Sequence, residues 1–249
     1  MDLSIVSLAD RPDLAPAVDG FDGAWPEFMY HDSVSSLFYE GVATAYPQHC
    51  LLAVDRAHAE RPVAVAYSFP FTWPGDPASS LPPGGHDAAI VAGAADRLAG
   101  RPGNLVAAVE VTVVPAHRGQ GISSMMLDEL RRRTGRLGFR DLVIPVRPNQ
   151  KHEHPDIPLA QYVGWIRTDG LPRDPWLRQH IRAGGRMVGL APRSTTIAGT
   201  LAEWRAWTGL PFDTSGPVRV PGALVPVCCD VIHDHAVYVE PNVWVHHRL

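Results

Sequence analysis

The sequence predicts an α/β (α+β) fold in which helices pack against a sheet holding both antiparallel and parallel neighbours, and three observations carry that prediction. Residues 50–54 and 63–71 are β-rich runs separated by a polar segment, 55–62, the pattern of adjacent antiparallel strands. Residues 105–114, 121–137 and 142–146 alternate strand, helix and strand, a β-α-β unit with a right-handed crossover. Residues 218–245 return to β-rich composition, broken by Pro221, Pro226 and Pro241. At 249 residues and 45% hydrophobic content, the chain buries a substantial core and reads as a single domain, 1–249, enlarged by insertions.

The elements follow in order. Residues 4–8 form a short opening strand, and Asp10 and Pro12 break it. Over 33–45, Val34, Leu37, Phe38, Gly41, Val42 and Ala45 recur at the spacing of one buried helix face, with Asp32 or Ser33 as the cap. Residues 74–103 are dense in Pro, Gly and Ala around one helix, 87–98, and read as an insertion or lid. After Pro148 a polar stretch runs to Arg173, then a helix at 174–183 starts with Pro175 in its first turn and ends at Gly184-Gly185. A strand at 186–190 and a short amphipathic helix at 201–208 complete the series, without internal repeats. The C-terminal β-rich stretch is a candidate for pairing across a homodimer.

Composition narrows the function. A formal net charge of -4 supplies no basic field, which argues against a nucleic-acid partner and for a small molecule or protein. The three cysteines, Cys50, Cys228 and Cys229, are too few for a disulfide framework or a zinc site and suit a reducing cytoplasm. The first twelve residues carry Asp2 and Asp10 and no long apolar run, so neither a signal peptide nor a membrane span is expected.

Chemistry concentrates in Val111-Thr112-Val113-Val114-Pro115-Ala116-His117-Arg118-Gly119-Gln120-Gly121-Ile122-Ser123, where a strand turns through Arg-Gly-x-Gly into a helix. Two glycines let backbone approach a ligand, and the unpaired amides of a first helical turn favour an anion such as a pyrophosphate. Arg118 adds charge, while Ile122, Met126 and Leu130 lie on one face of the helix. A dinucleotide fingerprint needs a third glycine where Ser124 stands, and a P-loop needs a Gly-Lys-Ser/Thr that is absent.

This segment resembles the acyl-CoA-binding signature of the GNAT (Gcn5-related N-acetyltransferase) acyltransferases. The resemblance implies a central mixed, mainly antiparallel sheet splayed at this strand, a motif core at about 104–190, an insertion at about 74–103 and a C-terminal extension at about 200–249. It implies acetyl-CoA or another acyl-CoA as co-substrate, with no metal. The pantetheine would pair with strand backbone at Val111, Val113 and Val114, and the pyrophosphate would lie on Arg118, Gly119, Gln120, Gly121, Ile122 and Ser123. The family often has Gln or Arg where this chain has Ala116, a weakened contact. A second match sets Pro175 to Gly184 beside the family's later helix, with His180 where a Tyr often sits.

Glu110, on the thioester-bearing strand, is the candidate base for the incoming ammonium, and His180 the candidate acid for the departing thiolate. A thiol pKa near ~8.5 makes that acid dispensable. His152, Glu153, His154 and Asp156, like His233, Asp234 and His235, have ligand chemistry without zinc spacing and read as solvated loops. Adjacent Cys228 and Cys229 point to opposite faces of a strand and read as packing, while some of Trp25, Tyr30, Trp165, Trp176, Trp204, Trp207 and Trp244 line a pocket. The expected function is N-acyl transfer from acyl-CoA to a small-molecule amine by direct attack. One alternative takes the acyl group from a carrier protein in natural-product biosynthesis, docked at Arg118 and Arg131–Arg133; another is a non-catalytic acyl-CoA sensor.

Overall fold

The computed structural model describes residues 2–18, 21, 23–39, 41–57 and 61–249. Its elements are β1 (Leu3–Ser7), α1 (Ser33–Tyr39), α2 (Val42–Ala45), β2 (Cys50–Asp55), β3 (Arg61–Phe71), α3 (Gly85–Leu98), β4 (Leu105–Val113), α4 (Ile122–Arg136), β5 (Asp141–Val146), α5 (Leu159–Val163), α6 (Pro175–Arg182), β6 (Arg186–Gly199), α7 (Leu201–Thr208), β7 (Gly216–Val218), β8 (Val227–Asp230) and β9 (His235–Arg248). The strands join one sheet in the order β1-β2-β3-β4-β5-β9-β8-β7, with β6 also on β9. Strands β4 and β5 are parallel, and the other pairs among the described residues are antiparallel. The mixed, mainly antiparallel sheet expected from the sequence is therefore present.

Helix α4 covers one face, burying Ile122, Met126, Leu127 and Leu130 against Ala64, Ala66, Val106 and Val113. Removing each such side chain from water contributes roughly 1.5–3 kcal/mol. On the other face α1 and α3 pack over Phe69, Phe71, Leu105 and Ala107. Asp32 is the α1 cap, accepting from the amides of Val34 and Ser35. The helix expected over 33–45 instead divides into α1 and α2, and Leu37, assigned to its buried face, is 78% exposed. Val42's side chain lies outside the described residues.

Residues 74–103 are a packed layer, not a loose cover. Gly85 begins α3 at φ +49°, where a Cβ would strike Ser194, and Trp244 Nε1 donates to Pro82 O at 2.7 Å. Strand β6 runs to Gly199, well past the expected 190, and β9 runs through Pro241. The proline is tolerated because it falls where the β6–β9 register shifts and before the β5–β9 ladder begins at Val243. The C-terminal residues thus supply an interior strand that pairs with β5, β6 and β8 of its own chain. They also build a second core around Trp204 and Tyr238, into which Phe28 inserts from the N-terminal segment at 5.3 Å from the Tyr238 ring.

Candidate active site

Strand β4 pairs with β3 along nearly its whole length but with β5 only at Val106 and Ala107. Beyond that point the two parallel strands part, and a groove of about 600 Å³ opens between Ala108–Val113 and Ile144–Arg147. This is the splay expected for the pantetheine. The Val114 amide donates to Val63 O at 2.9 Å, so ladder alternation turns the amides of Val111 and Val113 away from β3 and toward the groove. Val114, by contrast, spends its amide on β3 and is not part of the groove wall.

At the end of β4 the chain turns through Gly119 (φ +77°) and Gly121 (φ +80°), conformations that favour glycine, and enters α4 without a side-chain cap. Ser124 and Met125 donate to Gly121 O, whereas the amides of Gly119, Gln120, Gly121, Ile122 and Ser123 have no backbone acceptor among the described residues. A Cβ at Gly119 or Gly121 would meet nothing within 4 Å, so a ligand has room against the loop. Gly119, Ile122 and Ser123 border the groove; Gln120 and Gly121 stand beside it. Arg118 borders the groove as well, with its guanidinium engaged by protein acceptors. Its Nη2 donates to Ala24 O at 2.9 Å and its Nε to Val113 O at 3.3 Å, tying the N-terminal segment to the strand end.

The opposite wall contains residues that the motif did not reveal: Asn149, Gln150, His152, Glu153 and Trp176. Two buried polar residues hold it in place. Lys151, the chain's one lysine, is fully buried, with Nζ donating to Leu224 O at 2.6 Å and His154 O at 2.8 Å. Asp174 caps α6 through the amides of Trp176 and Leu177 and also accepts from Gln150 N and the Tyr162 hydroxyl. The Asp-Pro pair was legible as the start of a helix; the use of Asp174 as its cap and its grip on residue 150 were not.

On the far side of β4 lies a second cavity, of about 360 Å³, bordered by Phe21, Trp25, Tyr30, Asp32, Tyr39, Tyr67, His86, Glu110, Arg147 and Glu240. Its size suits a small molecule. Glu110 belongs to both cavities because of a β-bulge. Val106 and Ala108 face α4, but an extra residue at Val109 flips the alternation, so Val111 and Val113 face α4 and Glu110 and Thr112 face away. The Thr112 hydroxyl donates to Glu110 Oε1 at 2.6 Å. Burial, with the Glu110 carboxylate adding to it, holds the Tyr39 phenol protonated well above its usual range.

Charge in this cavity is uneven. Glu240 is paired with Arg147 at 2.8 Å, and Arg147 also donates to Gly222 O and lies 5.7 Å from the Trp25 ring centre. Among the described residues neither Asp32 nor Glu110 has a cationic partner in an ion pair. The ligand atoms of Asp32, His86 and Asp87 gather within 4.8 Å, and burial, partly opposed by the His86 hydrogen bond and reinforced by Asp32, pushes the Asp87 carboxyl up. The His152–Asp156 and His233–His235 stretches do not form such a group among the described residues. Asp156 instead pairs with Arg219 and His233 with Asp230.

His180 is a correction. Its ring is fully buried, with Nδ1 3.0 Å from His247 Nε2, and it borders neither cavity. Burial, with the neighbouring His247, pushes its pKa down to about 3, so it cannot carry a proton to a thiolate at neutral pH. The position matched a motif; its burial was not readable from spacing. Cys228 is exposed and Cys229 buried, opposite faces as expected. Of the aromatic residues, Trp25 and Tyr30 border the second cavity, Trp25 and Trp176 the groove, and Trp204 and Trp244 are core.

A strand peeled from its parallel neighbour, a glycine turn of free amides, and a carboxylate between two cavities define an acyl-thioester transferase as a class. No family model matches the chain. The chain is 36% identical, over an alignment of 278 residues covering 99% of it and 94% of the relative, to the arginine N-acetyltransferase avaD of Aspergillus versicolor. It belongs to the GNAT superfamily and is an N-acyltransferase that moves an acyl group from acyl-CoA to an amine. In fold it is similar to the loading GNATL domain of CurA from Lyngbya majuscula, with a TM-score of 0.60, 16% identity, and coverage of 99% of this chain and 96% of that one. It is also similar to the GNAT-like decarboxylase GphF, solved in complex with isobutyryl-CoA, with a TM-score of 0.57, 19% identity, and coverage of 100% and 99%. No helix among the described residues is long and apolar enough to cross a membrane.

Proposed function

We propose that the enzyme, working as one domain, acetylates the α-amino group of arginine or a similarly cationic small amine, with Glu110 as the base. The observation that carries this reading is that Glu110 faces both the β4–β5 groove and a cavity whose Asp32 and Glu110 carboxylates have no paired cation among the described residues. Two carboxylates suit an acceptor with two basic groups: the nucleophilic amine near Glu110 and a guanidinium near Asp32. The similarity to an arginine N-acetyltransferase supports the same acceptor.

In this mechanism the thioester lies along Val111 and Val113, and the free amine attacks its carbonyl carbon directly. Glu110, directly or through water, takes the ammonium proton. The outward amide of Val113 faces the oxyanion of the tetrahedral intermediate. Collapse breaks the C–S bond and releases CoA thiolate, which needs no general acid.

A carrier-protein donor, with a place in natural-product assembly, is the weaker reading, because the arginines proposed to dock it are occupied. Arg131 and Arg132 pair with Asp128 and Glu129, Arg133 reaches Asp10, and Arg118 is bound to Ala24. A cytoplasmic site of action belongs to the same proposal.

The test is thiol release and product mass with acetyl-CoA and either arginine or citrulline, its neutral isostere. Arginine should be acetylated once, citrulline should be at least tenfold poorer in kcat/KM, and Glu110→Gln should lower kcat by roughly 10²–10⁴. Absence of arginine-dependent thiol release, or equal use of citrulline, would refute the acceptor assignment.

A further inference from the structure

The carboxylate proposed as base is held by a chain of donors that starts outside the motif core. Trp25 Nε1 lies 3.1 Å from Thr112 Oγ1, and Thr112 Oγ1 lies 2.6 Å from Glu110 Oε1. Chemistry settles the direction of both bonds. An indole N–H can only donate, so the Thr112 oxygen must accept from it and turn its own proton elsewhere. An ionised carboxylate can only accept, so that proton points at Glu110. Thr112 is 3% exposed, which leaves its hydroxyl little access to competing water.

The indole is itself fixed from three sides. Trp25 N donates to the Tyr30 hydroxyl, Arg147 stacks over the ring at 5.7 Å, and Arg118 holds the adjoining Ala24 carbonyl at 2.9 Å. Trp25 also borders both cavities, as Glu110 does.

We infer that Trp25 and Thr112 are positioning residues for the transfer reaction, a relay that keeps Glu110 aimed at the seam between donor and acceptor. The inference rests on Glu110 being the base. Thr112 engages Oε1, and the Tyr39 hydroxyl is a second hydrogen-bonding neighbour of the same carboxylate.

Other titratable groups face Glu110 and must be separated from it in a pH profile. Tyr39 comes from α1, Tyr67 is its register partner on β3, and Cys50 opens β2, its thiol pushed up to about 12 by burial and by Glu110. Arg147 stands across the seam at the end of β5, and Asp32, His86 and Glu240 border the same cavity.

The measurement is kcat/KM for the amine against pH, with saturating acetyl-CoA, for the parent, Glu110→Gln, Thr112→Val, Thr112→Ser and Trp25→Phe. At every pH, kcat/KM should fall roughly tenfold in Thr112→Val and in Trp25→Phe, and return in Thr112→Ser. The Kd for acetyl-CoA should stay within about twofold in the Thr112 variants. If Glu110→Gln keeps the parent's acid limb, Glu110 is not the base and that reading falls. If Glu110→Gln abolishes the limb but Thr112→Val keeps the parent's kcat/KM, the relay alone is overturned. The Thr112 pair decides this even if Trp25→Phe fails to fold.

Discussion

The buried pair His180–His247 should make the fold acid-labile by an amount the structure specifies. One ring donates across the 3.0 Å contact and the other accepts, while His180 Nε2 and His247 Nδ1 have no partner among the described residues. A proton on either ring would add an N–H to a site without an acceptor. Burial accordingly pushes His180 down to about 3 and His247 to about 4, with the charge of Arg131 adding to the latter. An unfolded histidine titrates near ~6.5. The sign follows: below that value the unfolded chain binds protons that the folded one refuses, so the stabilisation is complete above pH 6.5 or so and drains away as pH falls toward the folded values. Each ring costs about 1.4 kcal/mol per pH unit, hence about 2 kcal/mol at pH ~5 and about 4 kcal/mol for the two. That is a large share of the 5–15 kcal/mol or so typical of a domain. Urea unfolding at pH 7.5, 6.5 and 5.0 or thereabouts should show it, with His180→Leu/His247→Leu as comparison, since replacing both partners leaves no orphaned group. The double variant should match the parent near pH ~7.5 and lose about 4 kcal/mol less by pH ~5. An identical pH dependence in the two proteins would refute the argument. The variant should also keep kcat within about threefold, because neither ring reaches the groove.

Two further outcomes are open to measurement. Gly119→Glu puts a side chain at φ +77° and a negative charge beside the free loop amides, so the Kd for acetyl-CoA by calorimetry should rise more than about tenfold while the far-UV spectrum is unchanged. Lys151→Met strands the carbonyls of His154 and Leu224 and should cost roughly 2–4 kcal/mol in urea unfolding, with a higher KM for acetyl-CoA because residues 149–153 form a groove wall.

How far the sequence could be read depended on whether the information was local. The glycine turn and α4 were legible because Gly119 and Gly121 must adopt positive φ and because apolar residues repeat along one helix face. Glu110 was legible as a residue on the right strand, but its direction was not. Simple alternation from Val106 and Ala108 would have buried it under α4, and only the bulge opposite Tyr67 and Ser68 turns it outward. Pro241 disguised an interior strand, because the register shift that accommodates it is a property of β6 and β9 together. His180 was misread because a helical position four residues before a glycine says nothing of what lies above the ring; His247 arrives there from the last strand. Of the second cavity only the aromatic residues Trp25 and Tyr30 were legible as pocket candidates, since Asp32, His86, Arg147 and Glu240 meet only in three dimensions.

The two halves of the site are built from different materials, and their specificities separate for that reason. In the proposed mechanism donor contacts come from backbone: the outward amides of β4 and the free amides of a turn that requires glycine at 119 and 121. Acceptor contacts, on the same proposal, come from side chains on segments distant in sequence, beside a core in which Phe28 packs on Tyr238 and Trp204. Substitutions in the acceptor wall can therefore change the amine chosen without disturbing the thioester. Arg118 is where the halves join. It lies at the donor turn yet spends its guanidinium on Ala24, beside the indole that borders both cavities. Backbone amides are left to meet the anion, and the arginine that the turn brings with it fixes the wall of the acceptor side.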